Sequence, residues 1–155
     1  MTSGGRGVTA RRRAGAALIT TAMLLLAGCG ADPGAVYRDS AVKALEGSLS
    51  EARTAELAGR LWVTGRSTHS FAVVVVGESD TGVGADAAWF EQQQPPRRVD
   101  DAVRQQTTDA LDGAASAVQS VRIALDRSDV PATRAALDEL RSACSELETL
   151  AEAMS

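Results

Sequence analysis

Apolar residues recur at helical spacing throughout the C-terminal half of the chain. Between residues 97 and 127, small and branched residues repeat at alternating spacings of four and three, which is typical of a helix inside a bundle. A further helix is predicted up to about residue 153, with Asp129 as its N-cap and Pro131 in its first turn. Its apolar positions are Leu137, Leu140, Cys144, Leu147, Ala151 and Met154. Because so few residues connect these two helices, we expect them to be antiparallel neighbours.

Residues 35–65 predict another long helix, with a less regular apolar face. The apolar positions on one side of it are Val42, Leu45, Leu49 and Ala52. Beyond Ala52 the stripe is lost, because Leu57 and Leu61 point elsewhere. The helix therefore either changes packing partners along its length or bends near Gly59, and both possibilities stay open.

Residues 66–96 contain conflicting signals. The run Phe71–Val76 has strong strand propensity. However, no second β-branched run exists with which such a strand could pair, and a lone strand leaves its backbone groups without hydrogen bonds. We therefore predict a helix from about Thr68 to Gln93, irregular around Gly82–Gly84 and ended by the two prolines that follow.

These segments together predict an all-α domain over residues 35–155. The alternation of long helices and short connections favours an antiparallel up-down-up-down four-helix bundle. No fixed-period repeat of the kind found in solenoid proteins is present.

The N-terminus has the pattern of an export signal. Arg6 and the arginines at positions 11–13 precede an uncharged and mostly apolar stretch over residues 14–27. At ~1.5 Å per residue this stretch is roughly 21 Å long, too short to span a hydrocarbon core of ~30 Å. The consecutive arginines leave the export route open, because they also occur in twin-arginine signals.

The end of this stretch reads Leu26-Ala27-Gly28-Cys29, which resembles the lipobox of bacterial lipoproteins. The resemblance implies diacylglycerol transfer to the Cys29 sulfur, cleavage between Gly28 and Cys29, and a protein held by lipid on the extracytoplasmic face of the cell membrane. It divides the chain into a signal peptide (1–28), a lipidated cysteine with a short linker (29–34) and the helical domain. A plain signal peptide or an uncleaved anchor is the alternative. The helical part is similar to small lipoproteins of high-GC bacteria, a likeness that implies no particular activity.

The charge balance narrows the choice of partners. Once residues 1–28 are removed, 12 basic and 20 acidic side chains remain, a formal charge of −8. Nucleic acid is therefore not expected as a partner, because phosphate binding needs a basic surface. The expected partners are the membrane, through the lipid on Cys29, and an unidentified envelope protein. With Cys29 lipidated, we expect Cys144 to be a small buried apolar residue, with pairing between chains as the alternative.

Few residues have catalytic potential. His69 is the only histidine, and metal sites usually gather two or more His or Cys ligands. We therefore expect no metal, no cofactor and no enzymatic activity. The leading hypothesis is a non-enzymatic envelope lipoprotein that binds another envelope component. The alternative is a small-ligand binder with a groove between helices that is lined by Trp62, Trp89 and Phe90, although such aromatics also fill cores.

Overall fold

A computed structural model describes residues 32–155, and all regular structure within this range is helical. The helices are α1 (Pro33–Val63), α2 (His69–Glu91), α3 (Asp101–Asp126) and α4 (Val130–Met154), and a 3-10 turn, Arg98–Asp100, precedes α3. This confirms the prediction of an all-α class. Residues Gly34–Ser155 form one compact unit. The predicted signal peptide, Cys29 and the first two linker residues, Gly30 and Ala31, lie outside the described residues.

Of the four helices, α1, α3 and α4 are amphipathic, whereas α2 has apolar residues on its outward side as well as its buried side. None of them, over residues 32–155, combines the length and the hydropathy needed to cross a bilayer. The buried side of α4 follows the predicted spacing, with Leu140 and Leu147 completely buried. Its start is also as predicted, because the Asp129 carboxylate accepts a hydrogen bond from the backbone N–H of Ala132 (2.9 Å).

Helix α2 occupies the segment whose sequence signals conflict. It begins after Thr68, whose hydroxyl oxygen accepts a hydrogen bond from the backbone N–H of Phe71 (3.2 Å). The predicted irregularity around Gly82–Gly84 is wrong, since the helix continues unbroken to Glu91. Gly82 faces α1, where a Cβ atom in its place would lie 2.8 Å from carbon atoms of the Glu51 side chain. The glycine thus allows a close approach between helices instead of interrupting one.

Helix α1 keeps one buried side along its whole length. Beyond Ala52 this side is made of small residues: Ala55, Ala58 and Gly59. The helix runs on through Gly59, where Leu137 of α4 comes within 2.9 Å of the position that a Cβ atom would take. The helix is thus not interrupted there, and the missing part of its apolar stripe consists of residues too small to carry a strong hydropathy signal.

The contacts between helices follow a simple order. Those between α1 and α2 include Tyr37 with Phe90 and Trp62 with His69, and those between α1 and α4 include Arg53 with Glu148 and Glu56 with Arg141. In both series, residue numbers rise along α1 while they fall along its neighbour. Helix α3 contacts both α2 and α4.

The connection between α2 and α3 is fixed by two arginines. Arg97 donates to the buried carboxylate of Asp100 (Nε to Oδ2, 2.9 Å), and this hydrogen bond holds the pKa of Asp100 below its ordinary value. Arg104 donates to the backbone carbonyls of Gln93 (3.1 Å) and Glu91 (3.2 Å) at the end of α2. Carbonyls that would otherwise be left unpaired at the helix end are thereby satisfied.

Candidate functional site

The three aromatic residues expected to line a groove lie in different surroundings. Phe90 is buried and packs on Tyr37, with ring centroids 5.7 Å apart. Trp62 is half-buried beside the ring of His69 (5.3 Å), whereas Trp89 is 38% exposed near the other end of α2. About 20 residues of helix separate His69 from Trp89, a distance of about 30 Å. The structure therefore does not bring Trp62 and Trp89 together, and Phe90 belongs to the core.

A groove between α1 and α2 does open beside Trp89. It has a volume of about 550 Å³ and is lined by Lys43, Ala44, Glu46, Gly47, Asp86 and Trp89. The Lys43 ammonium lies 5.6 Å from the centroid of the Trp89 ring, within the range of a cation–π interaction. The groove thus combines an aromatic face with charges of both signs.

Asp86 supplies a partly buried carboxylate to this groove. It is half-buried, and loss of hydration raises its pKa, as does the nearby Glu51 carboxylate, while a hydrogen bond from Ser48 (3.5 Å) acts in the opposite direction. Its carboxylate is packed over Gly47, where a Cβ atom would lie 2.6 Å from Oδ2. Such an acceptor could hold a cationic or hydrogen-bond-donating ligand.

A second candidate surface is the outward side of α2, which we call the α2 outer face. Its residues, at spacings of three and four, are Phe71, Val74, Glu78, Thr81, Ala85 and Trp89, and all are exposed. Half of the Phe71 surface and 58% of the Val74 surface is accessible to solvent. Glu78 is the one ionised residue on this face, which is about 27 Å long at ~1.5 Å per residue.

The outward sides of α1 and α4 carry charged pairs, and the exposed apolar residues Val36 and Leu57 of α1 lie far apart along that helix. On α1 and α4, Arg53 pairs with Glu148 (2.8 Å), and Arg141 pairs with both Glu56 (3.3 Å) and Asp138 (3.0 Å). Charged pairs of this kind are normal for a solvated surface. Exposed apolar residues that are grouped on one helix, by contrast, commonly mark interaction sites.

His69 and Cys144 have structural surroundings. The His69 Nε2 donates to the carbonyl of Leu125 (2.7 Å) and so ties the start of α2 to the end of α3. Cys144 is buried as expected, and burial raises the pKa of its thiol, which disfavours the reactive thiolate. Within the described part of the chain, no group of three or more His, Cys, Asp or Glu side chains is arranged to hold a metal ion.

The exposure of Phe71 and Val74 was not predicted. A signal was present in the sequence, because no charged residue lies between His69 and Glu78. A fully buried helix and a helix with an apolar outer side both produce such a stretch, so only the packing of α2 distinguishes them.

Comparisons with known proteins give no relative for this chain. No protein-family model matches it, and searches of curated proteins and of solved structures find no significant match.

Proposed function

We propose that this protein is a membrane-anchored extracytoplasmic lipoprotein that acts as a non-enzymatic interaction module and binds another envelope component. The lipobox supports the anchor. Three residues lie between Cys29 and Pro33, the first residue of α1, so the four steps from one to the other span at most about 14 Å. A lipid on Cys29 would therefore keep the start of α1 close to the bilayer surface.

The proposed architecture of the module is an antiparallel up-down-up-down four-helix bundle. The opposite order of residue numbers in the contacts of α1 with α2 and with α4 supports it. The contacts of α3 with α2 and α4 are those expected in a closed arrangement of four helices, and so also support it. In such a bundle each helix has one side that faces outward. For α2 this outward side carries apolar residues, as its buried side does.

The observation that carries the proposed function is the α2 outer face, with Phe71 and Val74 half exposed. A strip about 27 Å long and about 10 Å wide covers about 270 Å². This is well below the ~800 Å² that each partner buries in a stable complex. A single amphipathic helix of an envelope protein thus fits this face better than a second copy of the domain does, with its apolar side laid against α2.

The experiment is site-specific photo-crosslinking in cells. A photoreactive amino acid is placed at position 74 or 85 on the α2 outer face, or at position 54 of α1 as a control. Thr54 is also exposed, next to Arg53 on a different helix. We expect the same protein to be captured from positions 74 and 85 but not from 54, through an apolar helical peptide that mass spectrometry identifies.

A second variant tests whether the crosslink depends on the apolar character of the α2 outer face. Phe71→Glu places a charge on the α2 outer face without touching the core, because Phe71 is half exposed, and it should abolish the adduct formed at position 74. Adducts that are equally abundant from position 54, or that persist in Phe71→Glu, would show that this face does not bind the partner.

The anchor is tested separately by Cys29→Ser. Without the sulfur there is no acceptor for diacylglycerol, so we expect release from the membrane fraction or an uncleaved precursor. Unchanged fractionation together with an unchanged mass would contradict the proposed lipidation.

The alternative function is binding of a small ligand in the groove beside Trp89. The specific observation in its favour is the combination of Lys43, Asp86 and Trp89 around one cavity. Because the chain has two tryptophans, Trp62→Phe leaves Trp89 as the only indole reporter, and Trp89→Phe is the matched control. A ligand of this groove should shift the fluorescence of the first variant alone in a metabolite screen. Equal responses from both variants, or none, would exclude it.

A further inference from the structure

A long groove follows the outward side of the contact between α3 and α4. It consists of three adjoining cavities of about 590, 420 and 320 Å³. The first and second share Ser142 and Glu146 in their linings, and the second and third share Ser120 and Glu139. Because neighbouring cavities share lining residues, they lie in one row along the two helices, which we call the α3–α4 groove.

The α3–α4 groove is acidic along most of its length. Asp109, Glu139 and Glu146 line it, and none of them forms an ion pair within residues 32–155. The one basic lining residue, Arg127, lies at the end near the turn between the two helices. This surface therefore presents uncompensated negative charge.

Two basic side chains of the same helices contact other neighbours. Arg122 of α3 pairs with Asp80 of α2 (3.2 Å), and Arg141 of α4 pairs with Glu56 of α1 (3.3 Å). Neither lines the α3–α4 groove. Neither arginine therefore compensates the charge of the acids that line the groove.

The hydroxyl groups of the groove add acceptors to this surface. Their intrahelical hydrogen bonds run from Ser120 to the Ser116 carbonyl (3.0 Å), from Ser142 to the Asp138 carbonyl (3.3 Å) and from Thr149 to the Ser145 carbonyl (2.8 Å). Each hydroxyl has one hydrogen to donate, and here it is directed into its own helix. What remains for a ligand is a set of lone pairs beside carboxylates, which suits a donor-rich cation.

The spacing of the acids indicates what shape of cation fits. Glu139 and Glu146 are two helical turns apart on α4, about 10.5 Å. Small residues, including Ala117 and Ala143, lie between the walls of the groove and allow another backbone to approach closely. We propose that the α3–α4 groove binds a helical segment of a protein partner that carries Lys or Arg residues seven positions apart. This adds a second binding surface to the proposed function and does not depend on the α2 outer face or on the lipid.

The test uses the full-length protein in a non-ionic detergent and a fluorescently labelled alanine-rich peptide with lysines seven positions apart. A peptide of the same composition with lysines five positions apart is the control ligand. Binding is followed by fluorescence anisotropy. We expect the first peptide to bind more tightly than the second, and its binding to weaken steeply between about 50 and about 200 mM salt, as screening of exposed charges requires.

Two variants of equal net charge show whether position matters. One carries Asp109→Asn, Glu139→Gln and Glu146→Gln in the groove, and the other carries Asp39→Asn, Glu78→Gln and Glu152→Gln outside it. All six residues are exposed, so neither set of changes disturbs the core. If each exposed ion pair contributes about a factor of two to three, the groove variant should bind the first peptide about tenfold more weakly, and the control variant less than about twofold more weakly.

Several outcomes would overturn this inference. They are the absence of binding, equal binding of the two peptides, and equal weakening by the two variants. Spermine that binds as tightly as the first peptide would indicate a polyamine site in place of a protein-binding groove. None of these results affects the crosslinking at position 74, so the two binding surfaces can fail independently.

Discussion

Two glycines of α2 offer a quantitative test of how this helix is packed. Gly82 and Gly84 lie two residues apart in the same helix, so alanine at either position brings the same gain in helix propensity, about 1 kcal/mol. Their surroundings differ. Nothing lies within 4 Å of a Cβ atom added at Gly84, whereas one added at Gly82 would meet the Glu51 side chain at 2.8 Å.

The two substitutions should therefore have different effects on the free energy of unfolding. Gly84→Ala should raise it by about 1 kcal/mol, which for a domain of this size raises the Tm by about 4 °C. In Gly82→Ala the same gain is offset by crowding against Glu51, and such overpacking costs about 1–3 kcal/mol. We expect Gly82→Ala to be neutral or destabilising by up to about 2 kcal/mol.

The assay is urea unfolding followed by circular dichroism at the helical band, with the parent protein and both variants under one set of conditions. The double change Gly82→Ala with Glu51→Ala is the control, because removal of the Glu51 carboxyl should restore the gain from the alanine. Equal stabilisation by Gly82→Ala and Gly84→Ala would refute the close approach of α1 and α2. Destabilisation by Gly84→Ala would refute a continuous helix in this segment.

Three other substitutions test single contacts. Tyr37→Phe removes a buried hydroxyl that has no hydrogen-bond partner in the described part of the chain but keeps the ring on Phe90. Urea titration should therefore show a free energy of unfolding that is higher by about 1 kcal/mol, and a lower value would contradict this. Burial raises the folded-state pKa of Asp86, so stability falls as the pH rises from the ordinary pKa of 3.8 through the folded value. Asp86→Asn should lack this fall in stability and should have a higher Tm at neutral pH. A pH profile of stability equal to that of the parent protein would contradict the raised pKa of Asp86. Arg97 lowers the pKa of Asp100. The stability that the ionised Asp100 carboxylate contributes is therefore present above pH 3.8 and is lost as the pH falls through its folded-state pKa. Asp100→Asn should be less stable than the parent at neutral pH and equally stable in strong acid.

Strongly periodic segments of the sequence predicted their structure well. In α4, large apolar residues such as Leu140 and Leu147 recur at regular spacing, and they are completely buried. In α2 the helix was predicted despite Phe71–Val76, because a strand without a partner cannot satisfy its backbone hydrogen bonds. The second half of the α1 stripe was missed because Ala58 and Gly59 are apolar only weakly, and their burial depends on close contact with α4.

The candidate surfaces were harder to predict than the helices. Trp62 and Trp89 were expected in one groove, but Trp62 packs beside His69 at the start of α2, and the length of α2 separates it from Trp89. The α3–α4 groove depends on which side of each helix faces its neighbour. That is a property of two helices together, so Glu139 and Glu146 had no special signal in the sequence of α4 alone.

The most direct test of the proposed function is the intact mass of the native protein isolated from its own membranes. We predict a polypeptide that begins at Cys29, lacks residues 1–28 and carries at least the added mass of one diacylglycerol group. A protein in which Cys29 is unmodified, or in which residues 1–28 are still attached, would contradict the lipid anchor.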